Sequence, residues 1–79
     1  MKMSKAIGTY LRRAKLRTAA AEKALECGER REARKHMKRA AALYQDAADC
    51  AESPAVRNHL TAKQRMWEGY AEHQEEIYL

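Results

Sequence analysis

The stretch from residue 27 to residue 54, CGERREARKHMKRAAALYQDAADCAESP, contains two helix breaks separated by a long uninterrupted segment. Near its start, Gly28 supplies the left-handed residue that commonly follows the end of a helix. Near its end, Ser53 places a capping hydroxyl directly before Pro54, and proline is favoured at the first position of a helix. The stretch therefore predicts the end of one helix, the whole of a second and the start of a third.

The flanking sequence continues this helical pattern, because it is rich in Ala, Glu, Lys and Arg and contains no Phe. Alanine and unbranched side chains lose little entropy in a helix, whereas the β-branched residues that favour strands are scarce. We predict one all-α domain over residues 1–79, with helices at about 4–27, 29–52 and 54–77. The short connections make successive helices antiparallel, which gives a spectrin-like, up-down-up three-helix hairpin or bundle.

Each predicted helix carries a stripe of residues three or four positions apart, a spacing that keeps one seam facing the neighbouring helices. The stripe is mostly alanine in the first two helices, and the third helix supplies the bulky side chains. We expect these stripes to form the core. Their members are Ile7, Leu11, Ala14, Thr18, Ala21 and Leu25, then Ala33, Met37, Ala40, Tyr44, Ala47 and Ala51, then Val56, Leu60, Lys63, Trp67, Tyr70, Gln74 and Ile77.

A second apolar row lies beside the stripe on the second and third helices. It consists of Leu43 and Cys50 on the second helix and of Ala62, Met66 and Gly69 on the third. Three helices in a row cannot cover all of this surface, so we expect an open groove about as wide as a fourth helix. Such a groove is a ready site for a partner helix.

The two cysteines are expected to be reduced. Cys27 ends the first predicted helix and Cys50 lies near the end of the second, so an antiparallel arrangement places them roughly 30 Å apart at ~1.5 Å per residue, beyond disulfide reach. We interpret both as small, partly buried thiols. No segment approaches the ~20 apolar residues of a membrane span, and the first five residues do not resemble a signal peptide. We therefore expect a cytoplasmic location.

The net charge of +5 is unevenly distributed, with thirteen Lys and Arg against four Glu in residues 1–40 and three against seven Asp and Glu in residues 41–79. Either the acidic end of the third helix pairs with the basic start of the second, or the surplus positive charge faces an anionic peptide, membrane or nucleic acid. Glutamates alternate with the basic residues and no aromatic residues interleave them, which argues against nucleic acid. The charged segments in question contain Glu72, Glu75 and Glu76, and Arg31, Arg34, Lys35 and Lys38.

The sequence offers no recognisable catalytic arrangement. His36, His59 and His73 are scattered and fit neither an H-x-x-x-H nor an E-x-x-H spacing. No glycine-rich loop is present to hold a phosphate, and a bundle of this size has no room for an enclosed pocket. We therefore expect neither an enzyme nor a binder of a metal, a cofactor or a small-molecule substrate.

The residues from about Leu11 to Glu72 resemble the MIT domain (microtubule-interacting and trafficking). In the third helix, Leu60-Thr61-Ala62-Lys63, Trp67 and Ala71-Glu72 are similar to the family pattern l-x-A-K…Y-L-x-R-A-E, although Glu68 and Tyr70 replace its leucine and arginine. The first two helices contribute the small and aromatic positions of the resemblance, which are Ala14, Ala21, Gly28, Ala33, Met37, Ala40, Tyr44 and Ala47.

The resemblance implies a protein-transport adaptor that is attached to an AAA ATPase and binds a subunit of ESCRT filaments. In that family an amphipathic helix binds between helices two and three, or an extended segment binds between helices one and three. We expect the partner-binding surface on the face between helices two and three, with any membrane contact indirect. Self-association through the exposed row into a homo-oligomer is the alternative, followed by electrostatic binding of nucleic acid or membrane. The predicted contact residues are Leu43, Cys50, Lys63, Met66 and Glu72.

Overall fold

The computed structural model describes the backbone of residues 5–78 and the side chains of residues 6–74. It contains three helices, α1 (Lys5–Glu26), α2 (Arg30–Asp49) and α3 (Pro54–Tyr78). Helix α1 packs on α2 and α2 packs on α3, which confirms the predicted all-α three-helix architecture.

The connection between α1 and α2 is a tight corner built around Gly28, whose φ of 76° lies in the left-handed region. The Gly28 N–H donates to the carbonyl of Leu25 at 3.0 Å, and the Glu29 N–H donates to the carbonyl of Ala24 at 2.8 Å. This pair of bonds is the Schellman motif, which satisfies carbonyl groups that a helix end leaves free. Gly28 therefore ends α1 as the sequence indicates.

The connection between α2 and α3 begins three residues earlier than predicted, because α2 ends at Asp49 rather than near residue 52. The Ala51 N–H donates to the carbonyl of Ala48 at 3.1 Å, a bond over three residues that tightens the last turn. The residue before a proline is disfavoured in helical geometry, so the chain has to leave α2 before Pro54. Arg57 then secures the corner by donating from Nη2 to the carbonyl of Ala51 at 2.8 Å.

Helix α2 is the centre of the bundle and is buried on two sides. All six of its predicted stripe residues are buried, and so are Ala41, Leu43 and Ala48 beside them. Two clusters surround it, one around Leu43, Tyr44 and Leu60 and the other around Met37 and Ala71. Trp67 is half-buried and packs against both clusters, so it links the two halves of the core.

The outer helices cover α2 but do not cover each other. Among the described residues, no Cα atom of α1 lies within 8 Å of a Cα atom of α3. The bundle is accordingly wider than it is thick, with extents of 43 × 19 × 13 Å. As a consequence, Leu25 and Tyr70 are 37% and 48% exposed, and the prediction that they belong to the core was wrong. The predicted core residue Ile77 lies outside the described side chains.

Candidate partner-binding groove

The surface between the two outer helices is a long depression, which we call the α1–α3 groove. Its floor is formed by α2, through Tyr44 toward one end and Met37 toward the other. The walls come from α1 and α3, which run in the same direction because each is antiparallel to α2. The groove is open because nothing in the described chain bridges α1 and α3 above α2.

One end of the groove, which we call the basic end, combines an apolar floor with a cationic rim. Leu11 of α1 and Leu60 of α3 line this end together with Tyr44 of α2. Arg12, Lys15 and Lys63 supply three positive charges around them, and the described lining also includes Gly8 and His59 but no carboxylate. An anionic group that entered here would meet positive charge from both outer helices.

Tyr44 is the buried phenol at this end, with only 8% of its surface exposed. Burial raises the pKa of Tyr44 above its ordinary value of 10.0, because the charged phenolate is poorly solvated there. The residue is therefore a neutral hydroxyl at physiological pH and acts as an amphipathic part of the floor rather than as a charge.

The other end, which we call the aromatic end, is mainly apolar. Leu25 stands on the α1 side, and Trp67 and Tyr70 stand on the α3 side above Met37. The Trp67 and Tyr70 rings pack edge to face, with centroids 5.4 Å apart and planes at 88°. The rim is completed by three polar residues, Glu22, His73 and Gln74. Exposed aromatic and aliphatic side chains of this kind are the usual anchors of a protein interface.

The five predicted contact residues are not brought to one surface. Lys63 lines the α1–α3 groove, whereas Glu72 lines a depression on the α2–α3 side together with Lys38 and Glu68. Met66 is 38% exposed on α3, as expected of the second apolar row, and its neighbours Ala62 and Gly69 are exposed with it. Cys50 is half-buried at the end of α2.

Leu43 requires a correction. The prediction that it is exposed between the second and third helices was wrong, because its side chain is only 4% exposed. It lies on the α1–α2 side, next to Arg13, Leu16 and Arg39. The physical reason is that α2 is central, so its second apolar row is covered by α1 instead of being left open.

The predictions for the two cysteines and for the charged segments can be compared with the structure. Both cysteines are free, but Cys27 is exposed rather than partly buried, since the turn at Gly28 leaves it at the end of the bundle. Lys38 of α2 and Glu72 of α3 line the same depression, and their charge pairing stays a prediction. The side chains of Glu75 and Glu76 lie outside the described residues.

The basic end was missed by reasoning from the sequence, although a signal for it was present. Lys63 occupies a stripe position on α3, where a core would normally hold an apolar residue. Lys15 is adjacent to the stripe on α1. The two lysines together indicate that the surface between α1 and α3 is open to solvent at this end. Ala41 and Ala48 are a second signal, because they extend the apolar surface of α2 beyond its stripe, and a helix with two apolar sides is usually the middle one.

Two classes of site can be checked directly on the described part of the chain. Within the side chains of residues 6–74, no three His, Cys, Asp or Glu residues are grouped so that they could hold a metal ion. None of the three helices, over their described residues, combines the length and the apolar character that a membrane span requires.

Comparison with known proteins adds no assignment. No protein-family model, no curated protein and no solved structure matches this chain.

Proposed function

We propose that this chain is a non-catalytic interaction module that binds an amphipathic helix or an extended segment of a partner protein in the α1–α3 groove. The observation that carries the proposal is the separation of the outer helices, which leaves large apolar side chains on the groove walls without internal cover. Leu25 and Tyr70 are the clearest cases, since both are large, apolar in their main part and more than one-third exposed.

The two ends of the groove define what the partner segment should look like. Arg12, Lys15 and Lys63 complement acidic side chains, and Leu25 and Tyr70 complement large apolar ones. Lys15 and Leu25 are ten residues apart on α1, which corresponds to about 15 Å at ~1.5 Å per residue. The preferred segment therefore carries acidic residues about three helical turns away from an apolar anchor.

The α2–α3 side is the weaker candidate for this role. Its depression is lined by Lys38, Glu68 and Glu72 around two small residues, Ala41 and Ala42. Large apolar anchors are missing from the described lining, and its charge is mixed, with one lysine beside two glutamates. The α1–α3 groove supplies both large apolar anchors and positive charge without a carboxylate at its basic end.

The cellular role that we propose follows from the resemblance to MIT domains. In that setting the chain is a cytoplasmic adaptor for protein transport, linked to an AAA ATPase, and the partner is a subunit of an ESCRT-type filament. Binding through one narrow groove buries less than a standard interface, so we expect a weak affinity, with a dissociation constant in the micromolar range.

The experiment uses Trp67, the single tryptophan of the chain, as a reporter inside the groove. The probe is a synthetic amphipathic helix of about 14 residues, or ~21 Å, with leucines along one face, glutamates over one half and no tryptophan. We expect a saturable blue shift of the Trp67 emission as water is displaced. An unchanged spectrum, both with this peptide and with an extended peptide of the same charge pattern, would overturn the proposal.

Two variants locate the binding. Leu25→Ser should weaken the peptide complex about tenfold, because it removes an apolar anchor. Met66→Ser is the matched control, since Met66 has nearly the same exposure, 38% against 37%, but lies outside the groove lining. Equal losses for the two variants would contradict binding in the α1–α3 groove.

Self-association is the second candidate, and the row Ala62, Met66 and Gly69 on α3 favours it. All three residues are exposed, and a Cβ added at Gly69 would meet no atom within 4 Å. Small residues of this kind let two helices approach closely, and a symmetric pair of α3 helices would cover Met66. Sedimentation equilibrium distinguishes the two candidates, because a monomer at high concentration excludes this one.

A further inference from the structure

The side of α1 that faces away from the groove forms a separate charged surface, which we call the arginine face. It is lined by Arg13, Leu16 and Arg17 of α1 and by Arg39 and Leu43 of α2. None of these five residues is acidic. Arg17 also lies close to His36, with its Nη1 atom 3.2 Å from Nδ1 of the imidazole. Three arginines therefore line one depression between two antiparallel helices.

Leu16 lines the same depression as these arginines. It is 68% exposed, the largest exposure found among the bulky hydrophobic side chains of the described residues. A single exposed leucine is ordinary on a protein surface, but this one shares its depression with Arg13, Arg17 and Arg39. The arginine face thus combines one exposed aliphatic side chain with three positively charged ones.

This combination matches one kind of surface better than the others. Phosphates of nucleic acid would pair with the arginines but would give Leu16 no apolar environment. The interface of an anionic bilayer offers both, since the guanidinium groups meet lipid phosphates while their aliphatic stems and Leu16 reach the acyl boundary. Polybasic segments are drawn to such membranes by their negative surface potential.

We infer that the arginine face binds the surface of anionic lipid bilayers, with α1 and α2 lying in the plane of the membrane. This contact leaves the α1–α3 groove accessible, because Leu11 and Lys15 line the groove from the other flank of α1. The inference is independent of the proposed function: it concerns different residues and a different ligand. It also assigns a direct membrane contact, where the preferred prediction from the sequence was an indirect one and direct electrostatic binding was the last alternative.

The test is cosedimentation of the full chain with vesicles of phosphatidylcholine that contain about 30% phosphatidylserine, at low ionic strength where surface charges are weakly screened. We expect binding to these vesicles, little binding to pure phosphatidylcholine, and a loss of binding as salt is added. Replacing Arg13, Arg17 and Arg39 together by Gln should weaken vesicle binding about a hundredfold, at about fivefold per arginine.

The matched control removes the same number of arginines elsewhere. Arg30, Arg31 and Arg65 are all exposed and do not belong to the described lining of the arginine face. Changing these three to Gln should weaken vesicle binding less than about fivefold, because their charge acts only at long range. Equal losses in the two triple variants would overturn the inference, since binding would then follow net charge alone.

Leu16→Ser provides a test that leaves the charge intact and changes an exposed side chain, so the fold is retained. It should weaken vesicle binding about five- to tenfold, because part of a leucine's burial in the interface is lost. An unchanged affinity would overturn the inference. The inference would also be overturned if the wild-type chain failed to bind the anionic vesicles. Binding of a 20-base oligonucleotide at a concentration ~20-fold below that of the vesicle lipid would overturn it in favour of nucleic acid.

Discussion

Trp67 and Tyr70 meet edge to face on α3, with ring centroids 5.4 Å apart, and together they join the core to the open groove. Trp67 packs against both core clusters, whereas Tyr70 is 48% exposed at the aromatic end. One aromatic ring thus serves mainly stability and the other is available to a partner. The division of roles can be tested by truncating each ring separately.

Trp67→Ala should destabilise the protein strongly. We expect the free energy of unfolding to fall by about 2–4 kcal/mol, somewhat below the cost of deleting a fully buried tryptophan, because Trp67 is only half-buried. Tyr70→Ala should cost about 1 kcal/mol, the typical value of an aromatic pair. Urea denaturation followed by circular dichroism measures both. A larger loss for Tyr70→Ala than for Trp67→Ala would contradict the assigned roles.

Leu43 and Leu16 form a matched pair of leucines on the same side of the bundle. Leu43→Ala should cost about 2–4 kcal/mol of stability, because the side chain is 4% exposed and its removal leaves a cavity. Leu16→Ala should change stability by less than about 0.5 kcal/mol, because that side chain is 68% exposed. Thermal denaturation of the two variants checks the central position of α2. Similar costs for both leucines would show that α1 does not cover Leu43.

The two glycines at positions 28 and 69 should respond to alanine with opposite signs. Gly28→Ala should destabilise the protein by about 1–2 kcal/mol, because φ at this residue is 76° and a side chain is strained there. Gly69→Ala should stabilise it by up to about 1 kcal/mol, because the residue is helical and its new methyl group would meet no atom within 4 Å. Midpoints of urea denaturation give the signs directly. Stabilisation by Gly28→Ala would rule out the left-handed corner.

Tyr44 should make stability depend on pH in the alkaline range. Its pKa is raised by burial in the folded chain, so the folded state holds the phenolic proton more tightly than the unfolded state does. Its contribution to stability is complete below pH 10.0, the ordinary pKa, and is lost as the pH rises through the folded pKa. Between about pH 9 and about pH 11, the wild type should therefore lose unfolding free energy relative to the Tyr44→Phe variant, which has no phenol to titrate. A difference between the two proteins that does not change with pH would contradict burial of the phenol.

Features that depend on local geometry could be predicted from the sequence. Gly28 allows the left-handed conformation that ends α1, and Pro54 fixes its own φ near a helical value, so both mark the helix breaks with little help from tertiary contacts. The stripe on α2 could also be predicted, because a central helix buries its seam in any packing of three helices. The early end of α2 at Asp49 is harder, since alanine and glutamate continue the helical pattern up to Ser53.

The position of the open groove could not be predicted in the same way. Leu43 and Met66 are both second-row apolar residues, and their sequence neighbourhoods do not show that one is covered and the other exposed. The difference arises because α1 and α3 pack on different sides of α2 and remain apart. The relative placement of α1 and α3 depends on many small contacts with the alanine surfaces of the helices, and no short sequence motif predicts it.

The most direct test of the account is a nuclear magnetic resonance titration of the ¹⁵N-labelled chain with the acidic amphipathic peptide. The account predicts chemical-shift changes at Leu11 and Lys15 at the basic end, at Leu25, and at the indole N–H of Trp67 at the aromatic end. Shifts concentrated instead at Ala42 and Glu68 on the α2–α3 side, or no shifts at all, would contradict the claim that the open groove between α1 and α3 is the binding site.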